Sequence, residues 1–283
     1  MEPSPNRSAN RSANRSRGGA KAWGYRALGW AKRHEAEGAR AIYAARRAAF
    51  IARMKLQAAW TGARVDIDIA PDVRFGKDIA ITVWAGSDNV VRIRKGSRIG
   101  DRVLFILNNG SIDIGDDVEV RRDTSFMIWG GSLELAGGNI LSWGNVIHCA
   151  SSIRLERLAS TNEYVTIVDS SHYFTTPDEF FYHNTKTGPI VVGANSWICA
   201  KATLARNAKI GDHCIVAANS IVTGEVPSGH LASGVPAIVV RKLDLPWERA
   251  VRSIVGETTD AEPARRRAPR KKPAPSQRPP SEA

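Results

Sequence analysis

A six-residue period in the last third of the 283-residue chain constrains its fold more than any other feature. A large aliphatic side chain recurs every six positions, at Val192, Ile198, Leu204, Ile210, Val216 and Val222. Small residues follow each of the first five by four positions: Ser196, Ala202, Ala208, Cys214 and Ser220. A period of six fits neither an amphipathic helix nor an alternating strand. It is typical of a solenoid whose coils have flat faces of short strands and an aliphatic interior.

The same spacing returns upstream, less regularly, at Ile93 and Ile99, at Ile114 and Val120, and at Leu135, Leu141, Ile147 and Ile153. We therefore predict an all-β solenoid, one parallel β-helix over residues 63–243. Because a single coil cannot bury its own apolar face, its stability comes from stacking on its neighbours. Two irregular stretches interrupt the six-residue rhythm, residues 101–111 and residues 169–189, and the second is the richer in functional side chains.

The two ends of the chain have a different composition. Residues 1–34, with the repeat NRSANRSANRSR, predict a disordered basic tail, and residues 244–283 predict a second basic, Pro-rich tail. Residues 35–62 predict an Ala/Arg-rich helix. Its apolar stripe is expected to pack on the main domain or a partner subunit, with a basic helix on an anionic membrane as the alternative. That stripe comprises Ile42, Ala45, Ala49, Ala52, Leu56 and Ala59.

The formal net charge of +12 belongs to these ends, because residues 63–248 hold 18 Lys/Arg and 21 Asp/Glu. We expect no basic face or aromatic platform in the middle of the chain, and hence no specific nucleic-acid role. The basic ends are expected to make weak contact with an anionic membrane surface. Without an apolar signal region, a spanning segment or a disulfide framework, the expected location is cytoplasmic, peripheral at most to the inner face of the membrane.

One long run carries a resemblance to a known family. The run GPIVVGANSWICAKATLARNAKIGDHCIVAANSIVTGEVPSGHLASGVPAIVVRKL resembles the C-terminal half of the hexapeptide-repeat acyltransferases, of the sugar and glycan O-acetyltransferase type. The likeness extends upstream through VTIVDSSHYF and covers residues from about 90 to 243. It implies a left-handed parallel β-helix, acetyl-CoA as the acyl donor, no metal, a sugar or glycan acceptor, and a homotrimer with its sites between subunits.

Acetyl transfer to a hydroxyl needs a general base, and histidine suits that role because imidazole titrates near neutral pH. His172 closes the strand VTIVDSSH where the repeat breaks into a long loop, and the resemblance implies that it is the general base. Asp169 is expected either to orient the imidazole or to form a turn. His148 and His183 are candidates for a lesser contribution, and His34, His213 and His230 are expected to be ordinary surface or turn residues.

The loop after His172 is expected to shape the acceptor pocket with its aromatic residues Phe174, Phe180, Phe181 and Tyr182. No Ser or Cys lies beside a histidine in a nucleophile motif. We therefore expect direct attack of the acceptor on the thioester, without a covalent enzyme intermediate.

The remaining site residues follow from the resemblance alone. It implies an oxyanion donor at the amide of Ala200, with Ala218 stacked on Ala200 along the pantetheine arm and Trp197 near the acyl group. Thr223 and Arg241 match positions that contact the nucleotide end of the coenzyme. At two positions near the nucleotide end, this sequence departs from the pattern of the family. Gly224 stands where the family often has Lys, and Ile238 where it sometimes has Arg.

Two other functions remain open. A metalloenzyme like the γ-type carbonic anhydrases would use His148, His172 and His183, whose sequence gaps of 24 and 11 do not resemble that family's closely spaced ligands. A non-catalytic scaffold would recruit partners through its tails.

Overall fold

The computed structural model describes residues 37–180 and 184–245. Within them the chain forms one helix, α1 (Glu37–Thr61), followed by 26 strands. The N-terminal tail with His34, the C-terminal tail beyond residue 245, and Phe181, Tyr182 and His183 lie outside the described residues. In the described ranges, no helix is both long enough and apolar enough to cross a membrane.

The strands stack in parallel as three flat faces. Face 1 comprises β1 (Arg64–Ile69), β4 (Asp88–Ile93), β7 (Ser111–Ile114), β10 (Ser132–Leu135), β13 (Ser152–Leu155), β18 (Ile190–Val192), β21 (Lys209–Ile210) and β24 (Glu225–Val226). Face 2 comprises β2 (Arg74–Phe75), β5 (Arg98–Ile99), β8 (Glu119–Val120), β11 (Ile140–Leu141), β14 (Ser160–Thr161), β19 (Trp197–Ile198), β22 (Ile215–Val216), β25 (His230–Gly234) and the antiparallel β26 (Ala237–Lys242).

Face 3 comprises β3 (Ala80–Val83), β6 (Leu104–Asn108), β9 (Ser125–Trp129), β12 (Val146–Cys149), β15 (Thr166–Val168), β20 (Thr203–Leu204) and β23 (Ile221–Val222). A separate antiparallel hairpin joins β16 (Ser170–His172) to β17 (Thr185–Thr187). The chain therefore runs through faces 1, 2 and 3 in turn, and the predicted parallel β-helix is confirmed.

The coils shorten along the chain. Arg64 pairs with Asp88, 24 residues later, Val91 pairs with Ile112 after 21, and Val191 pairs with Lys209 after 18. The strict hexad is therefore confined to the coils after the long loop. The break in the rhythm at 101–111 comes from these longer coils and leaves the ladder intact, because β6 lies in it and pairs on both sides.

The aliphatic residues of the hexads all point into the solenoid. All fourteen interior positions that the spacing picks out, from Ile93 to Val222, are buried, as are the small residues at the corners. Ser196 shows how a small polar residue closes a corner. Its hydroxyl donates to Gly211 O over 2.8 Å and accepts from Cys214 N over 2.9 Å. A corner of this kind is stable because its buried polar groups are hydrogen-bonded.

Helix α1 covers the N-terminal end of the core. Phe50 stacks on Phe75 with ring centroids 4.6 Å apart and meets Phe105 edge-on at 5.4 Å, while Met54 and Ala58 are buried one and two turns further on. A solenoid end needs such a cap because the last coil has no neighbour to cover its interior.

The predicted apolar stripe of α1 does not pack on the main domain. Of the predicted stripe, Ile42 is 52% and Leu56 71% exposed, and the alanines are exposed too. At about 100° per residue that stripe lies on the opposite side of the helix from Phe50, Met54 and Ala58. The aromatic and thioether side chains bury more surface than alanines do, so they determine which side docks.

Four arginines of the middle of the chain line one groove together with Arg46 of α1 and the carboxylates of Asp101 and Glu119. This groove of about 440 Å³ between α1 and face 2 is lined by five arginines: Arg46, Arg74, Arg98, Arg121 and Arg122. The acidic and basic residues of 63–248 nearly cancel in number, but the strand register places these arginines together on one face.

Candidate active site

The predicted catalytic histidine lies on the one long insertion in the coils after β13. Thr166 of β15 pairs with Thr203 of β20, 37 residues later, whereas the next coil on this face is completed in 18. The extra residues leave at the corner between faces 3 and 1, and their ends pair as the β16–β17 hairpin. His172 ends β16 and is exposed, with its Nδ1 3.3 Å from the Thr185 hydroxyl.

Asp169 holds the base of this hairpin. It is fully buried, and its two carboxylate oxygens accept the amides of Ala150 over 2.7 Å and Ser151 over 2.8 Å. Asp169 N donates to His148 O, and Asp169 O accepts from Gly188 N, where the chain returns to face 1. Of the two predicted roles, these contacts give Asp169 the turn-forming one.

His148 is the residue near the hairpin whose importance the sequence pattern understated. It lies on the outer side of face 3, half-buried, and pairs in register with Val168 just before the hairpin begins. Burial lowers the pKa of the His148 imidazole, the charge of Asp169 opposes that shift, and a positive charge on His172 adds to it. Both histidines and Asp169 therefore interact electrostatically. The sequence did offer one signal for His148, namely its position on a strand directly after an inward-pointing isoleucine.

The cysteine beside these groups is not a nucleophile. Cys149 is fully buried, and burial together with the charge of Asp169 raises the pKa of its thiol. A thiol that resists ionisation is a poor nucleophile.

The residues expected around the acyl group share face 2 and its corner with face 3. Trp197 is 54% exposed on face 2, and Ala200 lies in the turn Cys199–Ala202 that follows. Ala218 takes the same position one coil on, since Trp197 pairs with Ile215 and Asn219 N donates to Ala200 O over 3.1 Å. The stacking predicted for the two alanines is thus present in the structure.

Among the described residues, the amide of Ala200 takes no part in the corner's own hydrogen bonds. In the described residues, those bonds use the neighbouring amides, Lys201 N to Glu163 O over 2.9 Å and Ala202 N to Cys199 O over 3.3 Å. An amide outside the ladder at an exposed corner can donate to a ligand.

The two residues expected at the nucleotide end are both exposed. Thr223 follows β23 at the corner between faces 3 and 1, two coils beyond the hairpin that carries His172. Arg241 lies on β26, opposite Leu231. Neither position has a side chain in the way of a ligand, since both are exposed.

The residues of the predicted site lie along two lines of the solenoid. His172 and Thr223 follow the corner between faces 3 and 1, whereas Trp197, Ala200 and Ala218 follow face 2 and its corner with face 3. Face 3 lies between the two lines.

Metal binding finds no support in the described residues. Residues 37–180 and 184–245 contain no group of three or more His, Cys, Asp or Glu side chains that could hold a metal ion. His183, one of the three candidate ligands, lies outside those residues.

Residues 189–224 match the family described as "Bacterial transferase hexapeptide (six repeats)". The chain carries the bacterial transferase hexapeptide repeat. Among curated proteins, this hexapeptide-repeat chain is similar to the galactoside O-acetyltransferase of Escherichia coli, with 38% identity over 56 residues, 20% of this chain and 28% of the relative. It is also similar to a Mycobacterium tuberculosis protein named "Probable acetyltransferase Rv3034c", with 28% identity over 122 residues, 42% of this chain and 40% of the relative.

Among solved structures, the polySia-specific acetyltransferase NeuO is similar in fold, with a TM-score of 0.50 and 16% identity over 71% of this chain and 93% of that one. The hexapeptide-repeat chain spans less than half the length of the curated relatives it matches. These likenesses agree with the left-handed β-helix expected from the repeats.

Proposed function

We propose that this protein is an acetyltransferase that moves the acetyl group of acetyl-CoA to a sugar hydroxyl of a glycan. The observation that carries the proposal is the position of His172, an exposed imidazole on an insertion in an otherwise regular coil of transferase repeats. The names of the curated relatives support the reaction class, and one of them is a sugar O-acetyltransferase.

In the proposed reaction, His172 takes the proton from the acceptor hydroxyl while its oxygen attacks the thioester carbonyl. The carbonyl oxygen becomes negatively charged in the tetrahedral intermediate, and the amide of Ala200 donates a hydrogen bond to it. The intermediate collapses by breaking the carbon–sulfur bond. The leaving thiolate then receives the proton held by His172, which restores the neutral imidazole.

Small side chains favour a coenzyme along the corner between faces 2 and 3. Ala200 and Ala218 leave the corner open for a pantetheine arm, and Trp197 would form a wall beside the acyl group. Arg241 would supply positive charge to the coenzyme phosphates, with Thr223 as a hydroxyl contact. Because Gly224 replaces a lysine, Arg241 and its neighbour Lys242 carry most of that charge.

The separation of the two lines of residues favours an oligomer. A base and an oxyanion donor must both lie about 3 Å from the reacting atoms, and within one chain they follow corners on opposite sides of face 3. A second copy whose Ala200 corner meets the His172 hairpin would complete the site. A cyclic homotrimer gives every chain one such neighbour on each side.

Replacement of the base tests the proposal. His172→Ala should abolish coenzyme A release with an acceptor found by screening sugars, nucleotide sugars and lipid-linked glycans, while the oligomer measured by light scattering stays intact. His213→Ala is the matched control, because His213 lies at a corner where its Nδ1 is 3.3 Å from Asn195. Near-normal turnover in His172→Ala would refute the assignment of the base, and a chain inactive on the whole panel would favour a scaffold.

A further inference from the structure

The corner between faces 2 and 3 carries two exposed aromatic residues on the N-terminal side of Ala200. Lys201 N donates to Glu163 O over 2.9 Å, which places Tyr164 one coil before the turn that contains Ala200. Tyr164 N donates in turn to Trp143 O over 2.8 Å, one coil further towards the N-terminus. Because neighbouring strands are about 4.8 Å apart, the two residues lie about 5 and about 10 Å from this turn along the solenoid axis.

The two rings form an aromatic shelf (Trp143 and Tyr164) at the surface. Tyr164 is 61% and Trp143 42% exposed. The Arg122 guanidinium lies over the Trp143 ring at 4.6 Å. The Tyr164 ring lies over Gly144, where an added Cβ would come within 2.6 Å of it. Each ring is therefore held by one neighbour and keeps much of its remaining surface accessible to a ligand.

Tyr164 has a backbone conformation that bulky side chains rarely adopt. Its φ is 57°, in the left-handed region. Six other coils have this corner position, and none of its residues there is aromatic: Asp78, Arg102, Asp123, Gly144, Lys201 and Asn219. A tyrosine in this region costs conformational free energy, and burial does not offset that cost because the ring is mostly exposed. Strained residues of this kind cluster at binding sites, so contact with a ligand accounts for a tyrosine here.

A carboxylate lies beside the shelf. Glu163 precedes Tyr164 in the same turn, and it accepts the hydroxyl of Ser142, the neighbour of Trp143, over 2.8 Å. Hydrogen bonds from its own backbone amide and from Ser142 lower the pKa of Glu163, so the side chain is ionised at neutral pH. An ionised carboxylate has about four acceptor positions, and the bond to Ser142 leaves others for hydroxyl groups of a ligand.

A sugar ring matches this combination of groups. One side of a pyranose is a face of C–H groups that packs on an aromatic ring, and its rim carries hydroxyls that donate to a carboxylate. We propose that the aromatic shelf and Glu163 form a subsite that holds sugar units of the acceptor beside Ala200. This inference rests on the proposed function, since it concerns the acceptor of the same site. Two rings one coil apart favour an oligosaccharide over a single sugar.

The position of the subsite agrees with that of the coenzyme. Asn219 N donates to Ala200 O, so Ala218 lies one coil from Ala200 on the C-terminal side. The shelf lies on the N-terminal side. The pantetheine arm and the acceptor would therefore approach Ala200 from opposite ends of the same corner, and neither would have to displace the other.

Sugar binding to the full-length protein, measured without acetyl-CoA, tests the proposal. The probes are monosaccharides and oligosaccharides of glucose, galactose, N-acetylglucosamine and sialic acid, screened on an array and then titrated by saturation-transfer NMR. Tyr164→Asn and Trp143→Ala should each weaken binding of an oligosaccharide about tenfold, since each removes a stacking surface. Tyr164→Asn should keep or raise the thermal midpoint, because asparagine tolerates a positive φ.

Leu158→Asn is the matched control. Leu158 lies one corner earlier in the same coil, has φ 64° and is 45% exposed. It covers Gly138 as Tyr164 covers Gly144, with an added Cβ 2.7 Å away. Its replacement should leave sugar binding at the parent's value. An equal loss in Leu158→Asn and Tyr164→Asn would assign the effect to the coil and not to the ring, and would overturn the proposal.

Three other results would also overturn the subsite. They are no binding of any probe, parental binding by Tyr164→Asn, and dissociation of the oligomer in either shelf variant, which would make the shelf a contact between subunits. In a transfer assay, both variants should raise the KM for the acceptor and leave the KM for acetyl-CoA unchanged. Shelf-dependent binding without transfer would contradict the proposed function alone, whereas transfer without shelf-dependent binding would contradict this inference alone.

Discussion

Asp169 and His172 are three residues apart, but one is fully buried and the other is exposed. The carboxylate of Asp169 binds the amides of Ala150 and Ser151 and so ties the start of the β16–β17 hairpin to the preceding coil. Its contribution to the site is therefore to place the hairpin, and through it His172. A sequence spacing of three residues does not distinguish this role from direct contact with the imidazole.

The turn Cys199–Ala202 allows the oxyanion donor to be removed alone. Lys201 has φ 59°, as the third residue of a type II turn requires, and proline is favoured at the second position, that of Ala200. Ala200→Pro should therefore fold normally but lack the amide, lowering kcat about 10²–10³-fold. Ala200→Gly keeps the amide and should retain most activity. Equal rates in the two variants would exclude this amide from the reaction.

His148 makes stability depend on pH. Its pKa is lowered in the fold, mainly by burial, so the unfolded chain takes up a proton at higher pH than the folded chain does. Its contribution to stability is present above about pH 6.5, the ordinary histidine value, and is lost as the pH falls towards the lower folded value. In urea unfolding, His148→Gln should thus lose less stability than the parent between pH 7.5 and 5.5. Parallel losses would contradict this account.

At the level of elements, α1 shows what a sequence pattern leaves open. Its sequence has two apolar sides, one of alanines with Ile42 and Leu56, the other with Phe50 and Met54. Periodicity identifies both sides but does not show which of them packs on the solenoid. A column of phenylalanine rings, which includes Phe75 and Phe105, lies at the end of the solenoid. The side of α1 that carries Phe50 packs against this column.

This packing predicts an asymmetry between the two sides of α1. Phe50→Ala should lower the free energy of unfolding by about 3–5 kcal/mol, because it leaves a cavity against Phe75 and Phe105. Leu56→Ala, at 71% exposure, should change it by no more than about 0.5 kcal/mol. Chemical denaturation of both variants measures the difference, and similar losses would mean that the capping side is misassigned.

For the whole molecule, the hexad was enough to predict the β-helix and the corner at which His172 leaves it. A six-residue period requires three faces, and a break in the period marks an insertion. The arginine groove could not be predicted in this way. Arg74 and Arg98 are neighbours only because the first coils contain 24 residues, a length that the later hexads do not reveal.

The separation of the site into two lines makes a prediction about subunits. His172→Ala and Trp197→Ala should each be inactive alone, because each lacks one half of the site. Coexpressed with different tags and purified as mixed oligomers, the two variants should recover activity, since a subunit with His172 can meet one with Trp197. Every mixed cyclic trimer, whichever variant is in excess, makes this pairing at one of its three interfaces, so about a third of the parent activity is expected. If the mixed oligomers are as inactive as the single variants, each site is completed within one chain, and the hairpin must carry His172 across face 3.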